Sequence, residues 1–312
     1  MVLERRLESR HSNLTRGSRF ARLPPMFEEW ASLYDSVYAA KGKDYAAEAE
    51  YLQRWMAPTP SVHVSAQTTS DRARGELPTA RRALGDVTVG QRERGWGHTH
   101  LIPGVAEPDL PALLDVACGT GEHLAQLSRE FQLFGVDSSP EMLSVARHKL
   151  PGASLFLSDM TSFELGRTFS VVTCLFSSIG YLRSVSMLER AVERMSSHLA
   201  EDGVLLIEPP IPPERLDPPE TISLRFRHGS AQWEREASAR TEGERLHIRF
   251  TYRVVGDEPS SADVAPTEIV DNQTIRLFSG HQIATAMERA GLEVEHDSRG
   301  PTGLGLWIGR KP

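Results

Sequence analysis

The chain has 312 residues, 39% hydrophobic and 25% charged, with a mean hydropathy of −0.34 and a formal charge of −7. That apolar share supports one sizeable core and lies well outside the disordered regime. The net acidity removes the global electrostatic footprint of a nucleic-acid binder, and no apolar run approaches the roughly 20 residues that cross a bilayer.

Residues 1–25 hold six arginines but no apolar h-region, so a flexible basic tail is expected rather than a secretory signal. Residues 26–56 read as a helical lid. Phe27, Trp30, Leu33, Tyr34 and Val37 recur at helical spacing, and a second amphipathic helix follows from Tyr45 to about Met56. Over 57–110 periodicity gives way to prolines and arginines among Ser, Thr and Gly. This stretch is expected to be a partly disordered insertion with a short helix near Thr79–Leu84. His63, His98 and His100 fall within it without acidic partners at ligand spacing, so no metal is expected.

From residue 111 the pattern becomes regular and predicts the main domain, 111–312. Strands are expected at Leu113–Ala117, Gln132–Val136, Ser154–Leu157, Ser170–Leu175 and Val204–Ile207. Helices are expected at Glu122–Glu130, Pro140–Lys149 and Val185–Leu199, with Asp202-Gly203 turning into the fifth strand. Such alternation implies a parallel sheet covered on both faces. Residues 218–278 then carry four strand patterns with no helix between them (Ile222–His228, Gln232–Ala239, Leu246–Val255 and Ile269–Phe278), an antiparallel cap. A helix at His281–Ala290 and strands at Leu292–His296 and Leu304–Ile308 close the main sheet. Cys118 and Cys174 have neither C-x-x-C nor metal spacing and read as small buried hydrophobes, consistent with a reducing cytoplasm.

The chemistry concentrates in Leu114-Asp-Val-Ala-Cys-Gly-Thr-Gly121, which joins a strand to a helix. Gly119 and Gly121 let the backbone approach a ligand. The missing third glycine at dinucleotide spacing argues against a pyrophosphate. Asp137 ends the next strand, where a carboxylate accepts both ribose hydroxyls and repels a 2′-phosphate. Asp159 follows the third strand and faces an adenine amino group on this reading. Three acids after three successive strands, Asp115, Asp137 and Asp159, suit a cationic nucleoside better than a polyphosphate.

These motifs resemble those of class I S-adenosylmethionine (SAM)-dependent methyltransferases. That implies a Rossmann-like seven-stranded α/β sheet with the inserted antiparallel cap, and SAM as cofactor without a metal. The implied cofactor set is Asp115, Ala117, Cys118, Gly119, Gly121, Asp137, Ser138, Met142, Asp159 and Met160, with Tyr34 and Tyr45 closing over it. More closely, Leu33-Tyr-Asp, Lys41-Gly-Lys-Asp-Tyr-Ala, Val172-Thr-Cys-Leu-Phe-Ser-Ser-Ile-Gly180, Glu208-Pro and Gly300-Pro-Thr-Gly-Leu-Gly are similar to the N,N-dimethyltransferases of nucleotide-linked amino sugars. The implied function is N-methylation in antibiotic biosynthesis. The implied partner is a small-molecule acceptor, a sugar nucleotide, with no nucleic acid or membrane and with a homodimer as the assembly considered.

Three departures fall on the acceptor side: Tyr181 stands where those enzymes have His, Leu304 where they have Arg, and Pro210-Ile211 where they have two tryptophans. O-methylation, or methylation of a different nitrogen, is therefore the alternative reading. A SAM-binding protein without catalysis and an NAD-dependent dehydrogenase are weaker ones. Tyr181, beyond the fourth strand, and Glu208, ending the fifth, are the candidates for orienting the acceptor or taking its proton.

Overall fold

The computed structural model describes residues 30–56, 110–211, 222–255 and 268–312. The expected basic tail, Phe27, the insertion with its short helix and three histidines, and residues 212–221 and 256–267 lie outside those residues.

Two helices come first, α1 (Ala31–Ala40) and α2 (Tyr45–Met56). Then come β1 (Ala112–Val116), α3 (Glu122–Gln126), β2 (Gln132–Asp137), α4 (Pro140–Lys149), β3 (Ser154–Leu157) and β4 (Phe169–Cys174). A 3-10 turn at Ser178–Tyr181 leads to α5 (Val185–Ser197) and β5 (Leu199–Ile207). The cap strands are β6 (Ile222–His228), β7 (Ala231–Glu242), β8 (Arg245–Val255) and β9 (Glu268–Arg276), followed by α6 (Gly280–Arg289), β10 (Glu293–Asp297) and β11 (Leu306–Arg310).

Seven strands form one sheet in the order β10-β11-β5-β4-β1-β2-β3, and β6-β7-β8-β9 form a second, antiparallel sheet. Strands β1 to β5 are mutually parallel, while β11 runs antiparallel to β5 and β10 to β11. The central strands are apolar runs because both faces are covered. On one face Leu114, Val172 and Leu205 meet Leu188 and Met195 of α5 and Ile283 and Met287 of α6. On the other, Leu113, Val171 and Leu206 meet Leu52 of α2, Leu124 of α3 and Leu143 of α4. Helix α1 packs elsewhere: Leu33 and Val37 lie against Phe226, Trp233, Phe250 and Tyr252 of the cap. The seven-stranded α/β sheet and its antiparallel cap are thus both present. Among the described residues no helix is long and apolar enough to cross a membrane.

The structure corrects three boundaries. Asp202-Gly203 does not precede β5 but lies inside it as a bulge. Pairing with β4 shifts between Phe169 and Val171, and Asp202 takes φ 58°. Helix α3 stops at Gln126 instead of Glu130, because Leu127 N–H bonds back to Leu124 in a tightened last turn. Strand β11 starts at Leu306 because the preceding glycines are used in a folded loop. Gly300 has φ +60°, and a Cβ there would stand 2.3 Å from Gly305 O.

Helix α6 begins with a complete capping box, Ser279 accepting from Gln282 N–H while the Gln282 side chain accepts from Ser279 N–H. Ser279→Ala is expected to lower stability by about 1 kcal/mol, which is read as a Tm decrease of roughly 2–4 °C by calorimetry. No change in Tm would mean that the cap does not contribute to stability at that end.

Candidate active site

In an open α/β sheet a ligand site is expected at the carboxyl ends of the strands, where strand order reverses. Here that point lies between β1 and β4, and a cavity opens there. It is lined by Asp115 of β1, by Ala117, Cys118, Gly119 and Thr120 after that strand, by Leu175, Phe176 and Ser178 after β4, by Glu122 and His123 of α3, and by Tyr34 and Tyr45 of α1 and α2.

The backbone around the cavity is held in conformations that side chains rarely adopt. Ala117, Phe176 and Ser177 have φ of 61°, 54° and 60°. Each costs of order 1 kcal/mol or more and persists only where the surroundings over-determine it. Glu208 and its neighbour provide that restraint. Glu208 Oε2 accepts from Phe176 N–H at 2.6 Å, and Ser177 Oγ donates to Pro209 O at 3.0 Å. The other Glu208 oxygen accepts from Thr302 Oγ1 of the C-terminal glycine loop. Glu208 is fully buried, and burial pushes its carboxyl up, opposed by those two hydrogen bonds. Its oxygens are therefore turned to the protein's own backbone and loop, not toward the cavity.

The glycine turn is braced in a similar way. Asp137 Oδ2 accepts from Gly119 N–H and Oδ1 from Ser139 N–H, both at 2.8 Å. The Ser138 N–H bonds the same carboxylate, and with about four acceptor sites in all the group keeps capacity for a hydroxyl donor. Gly121 has φ +77°, which strains any residue with a side chain, and a Cβ there would also press to 2.9 Å from Leu150 Cδ1. Asp115 is buried beside Thr173 Oγ1, which donates to it at 2.7 Å. Desolvation dominates its surroundings and pushes its carboxyl up to about 6.

A charged network closes the cavity from the side of α1 and α2. Lys43 Nζ bonds both oxygens of Glu48 at 2.7 and 2.8 Å and lies 3.9 Å from the centre of the Phe176 ring. Glu48 also meets His123 Nε2 at 2.8 Å, and Thr120 Oγ1 donates to Asp35 at 2.6 Å. Burial alone would raise the Glu48 carboxyl, but the His123 and Lys43 hydrogen bonds outweigh it and hold it below its usual value. The aromatic rings of Tyr34, Tyr38 and Phe176 meet in succession, with centres 4.6 and 4.9 Å apart.

Of the expected cofactor residues, Tyr34, Tyr45, Asp115, Ala117, Cys118 and Gly119 line this cavity. Asp137 and Gly121 shape the turn that forms its floor. Ser138, Asp159 and Met160 follow the ends of β2 and β3, Met142 lies in the first turn of α4, and none of them lines it. Met142 is buried and its N–H donates to Ser139 Oγ at 2.9 Å, while Asp159 Oδ1 accepts from Thr161 N–H at 2.7 Å. Tyr181 ends the 3-10 turn and donates to Gln273 of the cap at 2.8 Å. Thr120, Glu122, His123, Phe176 and Ser178 also line the cavity, and no motif of their own marks them. Their only sequence signal was membership in segments already singled out. The cysteines are buried and unpaired with each other, and burial pushes both thiols up, so neither is a nucleophile at neutral pH.

The residues fit SAM. A glycine turn admits close backbone approach, a carboxylate ends β2, and Tyr34, Tyr45 and Phe176 line the cavity with aromatic rings, the side-chain type that attracts a sulfonium cation. Strand order, glycine turn and acid placement together define a class I SAM-dependent methyltransferase.

A family model described as a methyltransferase domain matches residues 113–203. The chain is 32% identical over 288 residues, 91% of its length and 99% of the relative's, to the dTDP-3-amino-3,4,6-trideoxy-alpha-D-glucopyranose N,N-dimethyltransferase of Streptomyces venezuelae. It is 39% identical over 203 residues, 65% of its length and 78% of the relative's, to a dTDP-3-amino-3,6-dideoxy-alpha-D-glucopyranose N,N-dimethyltransferase of Streptomyces fradiae. Among solved structures it is similar to Streptomyces venezuelae DesVI, with a TM-score of 0.68, 30% identity and coverage of 90% and 98% of the two chains. It is also similar to SAM-bound CalS10, an amino pentose methyltransferase of Micromonospora echinaspora, with a TM-score of 0.65, 25% identity and coverage of 95% and 100%. The chain belongs to this family of SAM-dependent amino-sugar N,N-dimethyltransferases.

Proposed function

We propose that this enzyme N-methylates the amino group of a nucleotide-linked amino sugar in natural-product biosynthesis. The observation that carries the reading is that similarity to sugar N-methyltransferases extends through the antiparallel cap as well as the cofactor half. SAM, when bound, supplies an electrophilic methyl group on a sulfonium. We assign Asp137 to the ribose hydroxyls, and Tyr34, Tyr45 and Phe176 to the cationic sulfur. An amine needs only to arrive neutral, close and aligned, so most of the barrier reduction comes from positioning.

Tyr181 is read as the residue that orients the acceptor. Burial raises its phenol well above the usual tyrosine value, aided by Tyr38 and Asp271, so it serves as a hydrogen-bonding group and not as a base. Glu208, whose oxygens hold Phe176 and Thr302, is read as a positioning residue for the strained turn rather than a proton acceptor. Both readings favour an amine over a hydroxyl, because a hydroxyl acceptor needs a strong base near the methyl.

Incubation with methyl-labelled SAM and dTDP-linked 3-amino and 4-amino sugars, followed by mass spectrometry, is expected to show mono- and then dimethylated product. Labelling confined to hydroxyl acceptors would replace this reading with O-methylation.

A further inference from the structure

One face of the cap sheet is apolar and packs against α1 and the turn that ends in Tyr181. Strand pairing puts Trp233, Phe250, Tyr252, Ile269 and Ile275 on that face. Three buried polar side chains interrupt it, Arg235 of β7 and, at alternate positions of β9, Asp271 and Gln273, with 7%, 0% and 8% exposure. A carboxylate and a carboxamide buried on an apolar face cost stability unless they are hydrogen-bonded. They form a chain with Tyr181: its hydroxyl donates to Gln273 Oε1 at 2.8 Å, and Gln273 Nε2 donates to Asp271 Oδ2 at 2.7 Å.

The direction of this chain is fixed from its buried end. A carboxylate only accepts, so Gln273 must turn its NH2 toward Asp271. That turns the amide oxygen toward Tyr181, and an oxygen there accepts the phenol proton. Without the acid, the amide is free to turn over and present NH2 to Tyr181 instead, which would reverse the phenol's role. With its proton committed to Gln273, the Tyr181 oxygen meets any third group as an acceptor.

We propose that Asp271 and Gln273 are positioning residues that fix Tyr181 as a hydrogen-bond acceptor matched to an amine N–H of the acceptor substrate. The inference rests on the amine reading given under Proposed function. An amine held by N–H to the Tyr181 oxygen keeps its lone pair for the methyl carbon. The new N–C bond forms as the S–C bond breaks, and the resulting ammonium loses its proton to solvent. Primary and monomethylated amines both carry the N–H this contact needs. The neutral dimethylated product carries none, so one contact serves both rounds and is lost after the second.

The test is steady-state kinetics of the full-length enzyme on a dTDP-linked amino sugar, with Tyr181→Phe, Asp271→Asn and the double variant. Each single variant is expected to raise KM for the amine roughly three- to tenfold, as for loss of one hydrogen bond. SAH dissociation constants stay at the wild-type value. If Asp271 affects the bound amine by way of Tyr181, the double variant is expected to be no worse than Tyr181→Phe. Gln273→Met gives the same comparison if Asp271→Asn fails to fold. Additive losses, or a wild-type KM for Asp271→Asn, overturn the inference while leaving the amine reading in place. A harmless Tyr181→Phe overturns it as well. Absence of turnover on every amino sugar by the unaltered enzyme overturns the amine reading and this inference together.

Discussion

Asp137→Ala is expected to weaken SAH binding by about 1–3 kcal/mol, read by calorimetry as a roughly 5- to 150-fold rise in Kd. The carboxylate does two jobs at once. Its oxygens hold Gly119 N–H and Ser139 N–H at 2.8 Å, which fixes the glycine turn, and their remaining lone pairs are the proposed partners of the ribose. Truncation removes both the brace and the acceptors. The two contributions separate with an SAH analogue lacking the ribose 2′-hydroxyl. Wild-type protein should bind it more weakly than SAH, whereas Asp137→Ala should bind the two alike, because the partner of that hydroxyl is already gone. If the variant discriminates as strongly as wild type, Asp137 is only the brace. If its Kd for SAH is unchanged, neither role stands.

The parts of this fold that were legible in the sequence are those written in local periodicity. Apolar runs such as Leu113-Leu114 and Val204–Ile207 announce strands covered on both faces. Ser139-Pro140 and Ser279 announce helix starts, through a side-chain cap at each and Pro at the first helical position of the former. Asp202-Gly203 misled because the same dipeptide serves a turn or a bulge, and only the shifted pairing between β4 and β5 decides between them. The glycine turn and Asp137 were also legible, since a strand–turn–helix and a second strand end are local features. The rest of the site was not. The Glu48–His123 and Asp35–Thr120 contacts join residues 75 and 85 positions apart, and no spacing rule links such pairs. Glu208 was recognisable as a special acid, but its role depends on Thr302, which is 94 positions away. Its burial and its bonds to Phe176 and Thr302 are what support the positioning role proposed for it.

Asp115→Asn is expected to stabilise the ligand-free protein at pH 8 by on the order of 3 kcal/mol while impairing SAM binding. Burial raises the folded-state value of Asp115 to about 6 from an ordinary 3.8. Below about pH 4 the group is protonated in both states and contributes nothing to their difference. Between 4 and 6 the unfolded chain releases the proton and the folded chain keeps it, so stability falls as pH rises. Above 6 the buried carboxylate stays charged at a constant cost, and a separation of about two pH units corresponds to on the order of 3 kcal/mol. The amide retains an acceptor for Thr173 Oγ1 without the charge, so urea denaturation should give matching stabilities near pH 4 and a growing advantage for the variant up to pH 6. Parallel curves for the two proteins would show that Asp115 titrates normally. The same substitution should cost more affinity for SAM than for SAH, because only the former carries the positive sulfur that a nearby carboxylate attracts. A charge that destabilises the ligand-free fold yet favours the cationic ligand over its neutral product is a term that binding can offset. That is the physical reason a buried acid belongs beside this cavity.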